Sequence, residues 1–289
     1  MFSVLCDGGH IFGRILKKII YDANLVAHTP DRWLSKAGIA SRSEVHGWIA
    51  EGRLTCGGVR VRADRPVGVS SVRGADPTLQ TLPPFCLDGR PLFPPPPLLL
   101  RFNKPRGVLV SLSDTEGRKV ISDCLAGTPW GDPSWGRIRP LGRLDAASAG
   151  LLLLTNYPER WDRFLAPEAG VRRLYRVKIR PSLSIRDREL FLSGRAGEAA
   201  GYRRIGVEEE SSKEKSSWLR ISLVEGKNRE IRNFLAFYGY EVLHLIRQEF
   251  GPFLLGELLP GTMADATDEA GKAGVVWGRW EVSGLSHRS

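Results

Sequence analysis

Hydrophobic and polar positions change their period several times along this chain, and each change marks an element. Ser41 is followed three residues later by Glu44, the spacing of a capping box, so a helix is predicted to start at Arg42. Val45, Trp48 and Ile49 then share a face, and Gly52 supplies the stop. Gly57 and Gly58 separate two short extended runs, 54–56 and 59–61, as a tight hairpin does. Residues 66–86 hold Pro, Gly and Ser with few periodic apolar positions and read as loop. The four prolines of 94–97 form a stiff connector and a natural domain boundary.

Beyond the prolines the pattern turns to strands. Runs 98–102 and 108–112 flank a basic turn, Asn103-Lys104-Pro105-Arg106-Gly107. Over 171–179, Tyr175, Val177 and Ile179 fall on one face and Arg172, Leu174, Arg176 and Lys178 on the other. Leu219, Ile221 and Leu223 alternate again. Residues 229–238 are helical in period, with Ile231, Phe234, Leu235 and Tyr238 as the buried stripe, Asn228 as the cap and Gly239 as the end. A further strand runs over 240–247. These elements predict an α+β large domain on a mixed, mainly antiparallel sheet. Residues past Gly261 are rich in Gly and Ala and read as an irregular tail. The first 28 residues mix Arg14, Lys17 and Lys18 with apolar positions but lack a signal-peptide core, and read as a poorly ordered extension without assigned function.

Composition narrows the partners. With 42% hydrophobic residues in 289, the chain can bury one large and one small core, which argues against global disorder. Lys and Arg outnumber Asp and Glu by 42 to 32, an excess that favours a polyanion. Arg32, Lys36, Arg42, Arg53, Arg60, Arg62 and Arg65 crowd the small N-terminal unit, so an RNA contact is expected there. Cys6, Cys56, Cys86 and Cys124 are scattered, without a C-x-x-C pair or a His at ligand spacing. That pattern suggests reduced thiols in the cytosol and no metal site. The longest aliphatic runs, 98–100 and 151–154, are far too short to cross a bilayer, so no membrane partner is expected.

The most informative segment is 142–156. It sets one carboxylate, Asp145, between Arg143 and a small-residue turn, just ahead of a buried aliphatic run. Such an arrangement holds an acid at the edge of a cleft with a dry wall. Taken alone, it suits a turn or helix-cap Asp better than a catalyst.

The spacing resembles that of the pseudouridine synthases of bacterial ribosomal RNA, in the class with an N-terminal RNA-binding module. Their signature, G-R-L-D-x-x-x-x-G-L-L-L-x-T, is matched at every position of 142–155. The module resembles the alpha-L RNA-binding fold through Leu34-Ser35-Lys36-Ala37-Gly38-Ile39-Ala40-Ser41-Arg42-Ser43-Glu44 and Ile49-Ala50-Glu51-Gly52-Arg53-Leu54. Asn103-Lys104-Pro105-Arg106-Gly107, Tyr175-Arg176-Val177, Glu225-Gly226-Lys227-Asn228-Arg229-Glu230-Ile231-Arg232 and the stretch from Ile246-Arg247 through Gly256 continue the resemblance in family order over 31–262. After Asn156 the family often continues with Asp-Gly, whereas this chain has Tyr157 and Pro158.

The resemblance implies an alpha-L domain over 29–93 with a loop insertion, the linker 94–97, a catalytic domain over 98–262 and a tail over 263–289. It implies isomerisation of a specific uridine in ribosomal RNA without a cofactor, by a cytoplasmic monomer acting on RNA or an assembling subunit. Asp114-Thr115-Glu116-Gly117-Arg118 and the 226–230 segment look closer to enzymes of large-subunit RNA. Small-subunit RNA, or a catalytically inactive assembly factor, are the alternatives. Asp145 matches the essential carboxylate, Tyr175 the aromatic platform for uracil, Arg232 the basic partner of the carboxylate and Ile231 an apolar pocket residue. Arg143 matches the residue that fills the gap left by a flipped nucleotide. Arg32, Lys36, Arg42, Arg53, Lys104, Lys227 and Arg229 are expected RNA contacts.

Physical demands agree with these roles. A uridine must leave its stack before its glycosidic bond is reached, so an aromatic platform is useful. Arg229 and Arg232, three apart, share a helix face, so one can meet Asp145 and the other a phosphate. Hydrolysis of sugars would call for paired carboxylates, and no second acid stands in a matching motif.

Overall fold

The computed structural model describes residues 25–70, 79–202, 205–277 and 279–282. The described residues divide after Pro97 into two compact units, with residues 133–137, 276–277 and 279–282 belonging to the first.

In the small unit β1 (Leu25–His28) pairs antiparallel with β4 (Val67–Ser70). Helices α1 (Pro30–Lys36) and α2 (Arg42–Ala50) follow β1. The α2 capping box forms: the Glu44 amide donates to Ser41 Oγ at 3.1 Å, and the Ser41 amide donates to the Glu44 carboxylate at 2.7 Å. Strands β2 (Leu54–Cys56) and β3 (Val59–Arg60) make the expected hairpin, with Gly57 and Gly58 at φ of 56° and 76°. With β6 (Phe85–Leu87) and β7 (Arg90–Pro91) they form a four-stranded antiparallel sheet ordered β3-β2-β6-β7. Its core holds Trp33, Leu34, Val45, Leu54, Leu82 and Phe85.

The large unit is built on one nine-stranded sheet. Its strands are β8 (Leu99–Lys104), β9 (Arg139–Leu141), β10 (Ala149–Thr155), β11 (Arg173–Arg180), β12 (Gly206–Lys213), β13 (Ser216–Leu223), β14 (Glu241–Phe250), β15 (Phe253–Leu254) and β16 (Met263–Asp265). The order is β12-β13-β11-β14-β10-β8-β16, with β9 beside β10 and β15 beside β14. Among the described residues of this sheet only the β10–β14 pair is parallel, so the sheet is mixed and mainly antiparallel, as its alternating patterns imply. Residues 150–155 of β10 are all buried, which explains a continuous aliphatic run in place of alternation. The run is pinned at its end: Thr155 Oγ1 donates to the Leu98 carbonyl at 2.6 Å, and the Leu98 amide donates to Asn156 Oδ1 at 2.9 Å.

Helices α3 (Ile185–Leu192), α4 (Arg195–Ala199) and α5 (Glu230–Phe237) pack on one face of this sheet. There Phe191, Ala196, Phe234 and Leu235 meet Val177, Ile179, Leu219 and Ile221. Each large apolar side chain so buried contributes roughly 1.5–3 kcal/mol.

Four expectations are corrected. The described part of 66–86 is not all loop: it holds β4, β5 (Leu79–Leu82) and the start of β6, and residues 71–78 lie outside the described residues. These strands are three or four residues long, too short for periodicity to register, and distant partners supply their hydrogen bonds. The tail is not irregular, since β16 adds to the sheet beside β8 and β17 (Arg279–Val282) pairs in parallel with β5. Backbone pairing of this kind leaves little trace in a Gly- and Ala-rich composition. Of the expected extension, residues 25–28 form β1, and the rest lies outside the described residues. Residues 108–112 make no strand beyond a single bridge from Leu109 to Val120. The backbone there is taken by scattered partners instead of a ladder: the Leu109 amide donates to the Lys119 carbonyl, and the carbonyls of Val108, Ser111 and Leu112 accept from Lys104 Nζ, the Ile121 amide and Ser122 Oγ.

Candidate active site

Strand β10 runs parallel to β14 with Gly150 opposite Arg247. A Cβ on Gly150 would lie 2.3 Å from the Arg247 carbonyl oxygen, and its φ of +101° suits glycine alone. The second glycine of the signature therefore lets the two strands approach. Just before β10 the chain makes a tight turn, in which the Ser148 amide donates to the Asp145 carbonyl at 3.0 Å. Leu144 is buried and anchors that turn, while the Asp145 side chain stays 36% exposed. Arg143 stands in solvent.

The segment leading into α5 faces this turn. Arg173 Nη1 donates to the carbonyls of Val171, Val224 and Glu225, fixing the loop ahead of the helix. Glu230 Oε2 accepts from the Lys227 amide at 2.9 Å. Arg229 occupies the N-cap position at φ +52°, without a side-chain cap bond. The expected cap, Asn228, instead lends its carbonyl to the Asn233 side chain. A non-glycine residue in left-handed backbone costs about 1 kcal/mol or more, and such residues gather at functional sites. Arg229 and Arg232 both reach Asp145 Oδ2, at 3.6 Å and 4.0 Å. Arg232 further donates to the carbonyls of Ala147 and Val242, so it ties the Asp145 turn to β14.

Between these pieces lies a cavity of about 320 Å³, within the range of small-ligand sites. Arg143, Leu144, Asp145, Tyr175, Leu223, Ile231, Arg232 and Phe250 are among its walls. Six cationic side chains line it, Arg143, Arg173, Lys227, Arg229, Arg232 and Arg247, against two acids, Asp145 and Glu230. Burial lowers the pKa of the Arg173, Arg232 and Arg247 guanidiniums from their ordinary value. Burial, helped by the nearby Glu225 charge, raises that of Glu230. Such a cavity favours an anionic ligand with a flat, apolar part.

Known proteins resemble this chain in sequence and in fold. A family model described as RNA pseudouridylate synthase matches residues 99–237. An uncharacterized RNA pseudouridine synthase of Mycobacterium bovis is 32% identical over 238 residues, spanning 80% of this chain and 86% of that protein. The chain belongs to the RNA pseudouridine synthase family. The ribosomal large subunit pseudouridine synthase B of Bacillus subtilis is 29% identical over 237 residues, 81% of this chain and 90% of that one. A crystal structure of a pseudouridylate synthase shares the fold at a TM-score of 0.51 and 19% identity, over 85% of this chain and 99% of that chain.

In this family member the cavity gathers most of the residues singled out in the sequence. Asp145, Arg143, Tyr175, Ile231, Arg232, Lys227 and Arg229 all line it. Lys104 does not, and its expected phosphate contact is corrected. Its side chain is 0% exposed, and Nζ donates to the carbonyls of Pro105 and Val108 at 2.9 and 2.8 Å. Burial pushes its pKa down to about 8. Arg32, Lys36, Arg42 and Arg53 belong to the small unit. Arg32 and Arg42 are exposed and Lys36 is half-buried. Arg53 is already bound by Asp88 and Glu51.

Among the cavity residues given no site role in the sequence are Arg173, Glu230, Arg247 and Phe250. Glu230 is a second acid in the cavity, and it stands in the matched segment 225–232, where it was given no role. For Arg173 a signal existed, because it stands two before Tyr175 on the same strand and so shares its face. Arg247 and Phe250 stood in a matched segment without a role, since strand alternation does not announce a buried guanidinium.

Proposed function

We propose that the protein isomerises one uridine of ribosomal RNA to pseudouridine, with large-subunit RNA as the substrate. The observation that carries this reading is the Asp145 carboxylate, partly exposed and held by two guanidiniums in a cationic cavity that also contains Tyr175. The cationic excess suits a nucleotide within a polyanion better than a free neutral nucleoside. The uridine leaves its stack and lies on the Tyr175 ring, while Arg143 fills the space it vacates. Ile231 closes the apolar side of the pocket, and Lys227 and Arg229 meet flanking phosphates. Asp145 faces ribose C1′ and stabilises the positive charge that develops there as the glycosidic bond breaks. Arg232 orients that carboxylate through its bonds to the Ala147 and Val242 carbonyls.

The small unit acts as an alpha-L RNA-binding module over 29–93, with Arg32, Lys36 and Arg42 anchoring phosphates. The linker 94–97 joins it to a catalytic domain that begins at residue 98. The protein works as a monomer in the cytoplasm, on ribosomal RNA or an assembling subunit. The likeness to a large-subunit enzyme of Bacillus subtilis supports the choice of subunit.

Tritium release from RNA labelled at uracil carbon 5 tests the assignment. Asp145→Asn is expected to lower turnover by roughly 10³-fold or more while RNA affinity and fold persist. Near-normal turnover would remove Asp145 from the chemistry. Tyr175→Leu is expected to weaken RNA binding more than Tyr175→Phe, because stacking needs only the ring. Carbodiimide mapping of both ribosomal RNAs, from cells with and without the protein, reads the target. A stop lost from small-subunit RNA alone would overturn the choice of subunit.

A further inference from the structure

Arg247 is the most deeply buried charge of the cavity, 2% exposed. No carboxylate lies within ion-pair distance of it among the described residues. Its Nε donates to the Leu151 carbonyl at 2.6 Å, and its guanidinium lies 4.7 Å from the centre of the Phe250 ring. Its Nη2 has no hydrogen-bond partner among the described residues. The Tyr175 hydroxyl is its polar neighbour on the cavity side. Arg173 stands 4.9 Å from the same Phe250 ring and adds a second positive charge in place of a counter-ion.

A buried, unneutralised guanidinium is strongly destabilising unless something else requires it. Asp145 does not neutralise this one, because its ion-pair partners are Arg229 and Arg232. The cavity therefore keeps the Asp145 carboxylate apart from the Arg247 guanidinium, with Tyr175 beside the latter. Heterolysis of a glycosidic bond creates a matching pair of charges, positive on the sugar and negative on the base.

Building on the reading of the cavity as a uridine site, we propose that Arg247 stabilises uracil as the leaving anion. The C1′–N1 bond breaks with both electrons passing to N1, and the negative charge spreads over N1, O2 and O4. Asp145 faces the positive C1′ meanwhile. The base turns on the Tyr175 ring, and C5 bonds to C1′. C5 then releases its proton and N1 takes one up, so the product is an isomer of the substrate. Arg247 is fixed before the reaction by Leu151, Phe250 and the β10–β14 ladder, so little reorganisation accompanies charge development.

The test compares two leaving groups. Ribosomal RNA transcripts made with uridine or with 5-fluorouridine are treated with excess enzyme, and loss of the target nucleoside is followed by chromatography after digestion. Fluorine makes the ring anion intrinsically more stable, so less help from the protein is needed. Arg247→Gln is expected to slow the uridine reaction by about 10²–10³-fold, and the 5-fluorouridine reaction by at least about tenfold less. RNA affinity is expected to stay within about threefold. Arg247→Lys keeps the charge and is expected to hold its rate within about tenfold of the original. Equal losses on both substrates, or a loss confined to affinity, overturn the proposal. If Arg247→Gln does not fold, a folded Arg247→Lys as inactive as Asp145→Asn overturns it. Original protein that rearranged neither substrate would instead overturn the uridine-site reading.

Discussion

Arginine serves the two units in different ways. In the small unit Arg32, Arg42, Arg53, Arg60 and Arg62 stand in water, and those with partners share them with carboxylates. Arg42 lies 3.7 Å from Asp31, Arg53 2.6 Å from Asp88 and Arg62 3.4 Å from Asp64. In the large unit Arg173, Arg232 and Arg247 are withdrawn from water and bond chiefly to backbone carbonyls of neighbouring segments. Exposed cations attract a polyanion over distance, and salt screens that attraction. Buried ones hold segments in place and keep their charge for whatever enters the cavity. Residue type is shared, and burial separates the jobs.

Four substitutions put this contrast at risk. The largest effect is expected from Gly150→Ala, which drives a Cβ into the Arg247 backbone at a φ of +101°. A loss of at least about 3 kcal/mol in denaturant unfolding is expected, whereas an unchanged midpoint would show that the β10–β14 approach can relax. Next is Arg232→Lys, which keeps the charge but loses the forked geometry that joins Ala147, Val242 and Asp145. Turnover in the tritium assay is expected to fall by about 10²-fold. Full activity would mean that charge alone suffices, and the contrast would blur.

A third, milder effect belongs to the small unit. Replacing Arg32, Lys36 and Arg42 together by Ala is expected to leave kcat unchanged at saturating RNA. The slope of log affinity against log salt is expected to shrink by about 2. A fall in kcat with an unchanged slope would reverse the two roles.

The smallest effect concerns Lys104, the basic residue that changed sides between sequence and structure. Its folded pKa, about 8, lies below its ordinary value of 10.5. Below pH 8 both folded and unfolded states carry the proton, and the cost of burying the charge is fully in force. Above it the folded state sheds the proton first, so stability relative to Lys104→Met rises from pH 8 towards 10.5. Between pH 8 and 9 the gain is expected to be about 1 kcal/mol, read by denaturant unfolding. A flat difference would show that Lys104 is already neutral or better solvated.

Legibility in the sequence followed the range of the interaction. The α2 capping box, the Gly57-Gly58 hairpin, the alternation through β11 and β13 and the stripe of α5 each rest on neighbours within a few residues. All of them could be read from spacing. Strands β4, β5, β16 and β17 were missed because their hydrogen bonds come from partners far along the chain. Residues 108–112 looked extended, yet their backbone bonds go to Lys104, Lys119, Ile121 and Ser122 in place of a neighbouring strand.

The sequence carried the α+β class and the signature turn with Asp145, and its family resemblance pointed to Tyr175, Ile231 and Arg232, which line one cavity with that carboxylate. Tertiary structure decided which cations face the cavity and which hold the protein together. Lys104 and Arg247 both sit in motif segments and both are buried, but one spends its protons on carbonyls while the other leaves a donor unmet. Spacing along a chain fixes which residues share a face. Desolvation, counter-ions and unmet donors depend on segments about a hundred residues apart, such as Leu151 and Arg247, and so appear only once the chain has folded.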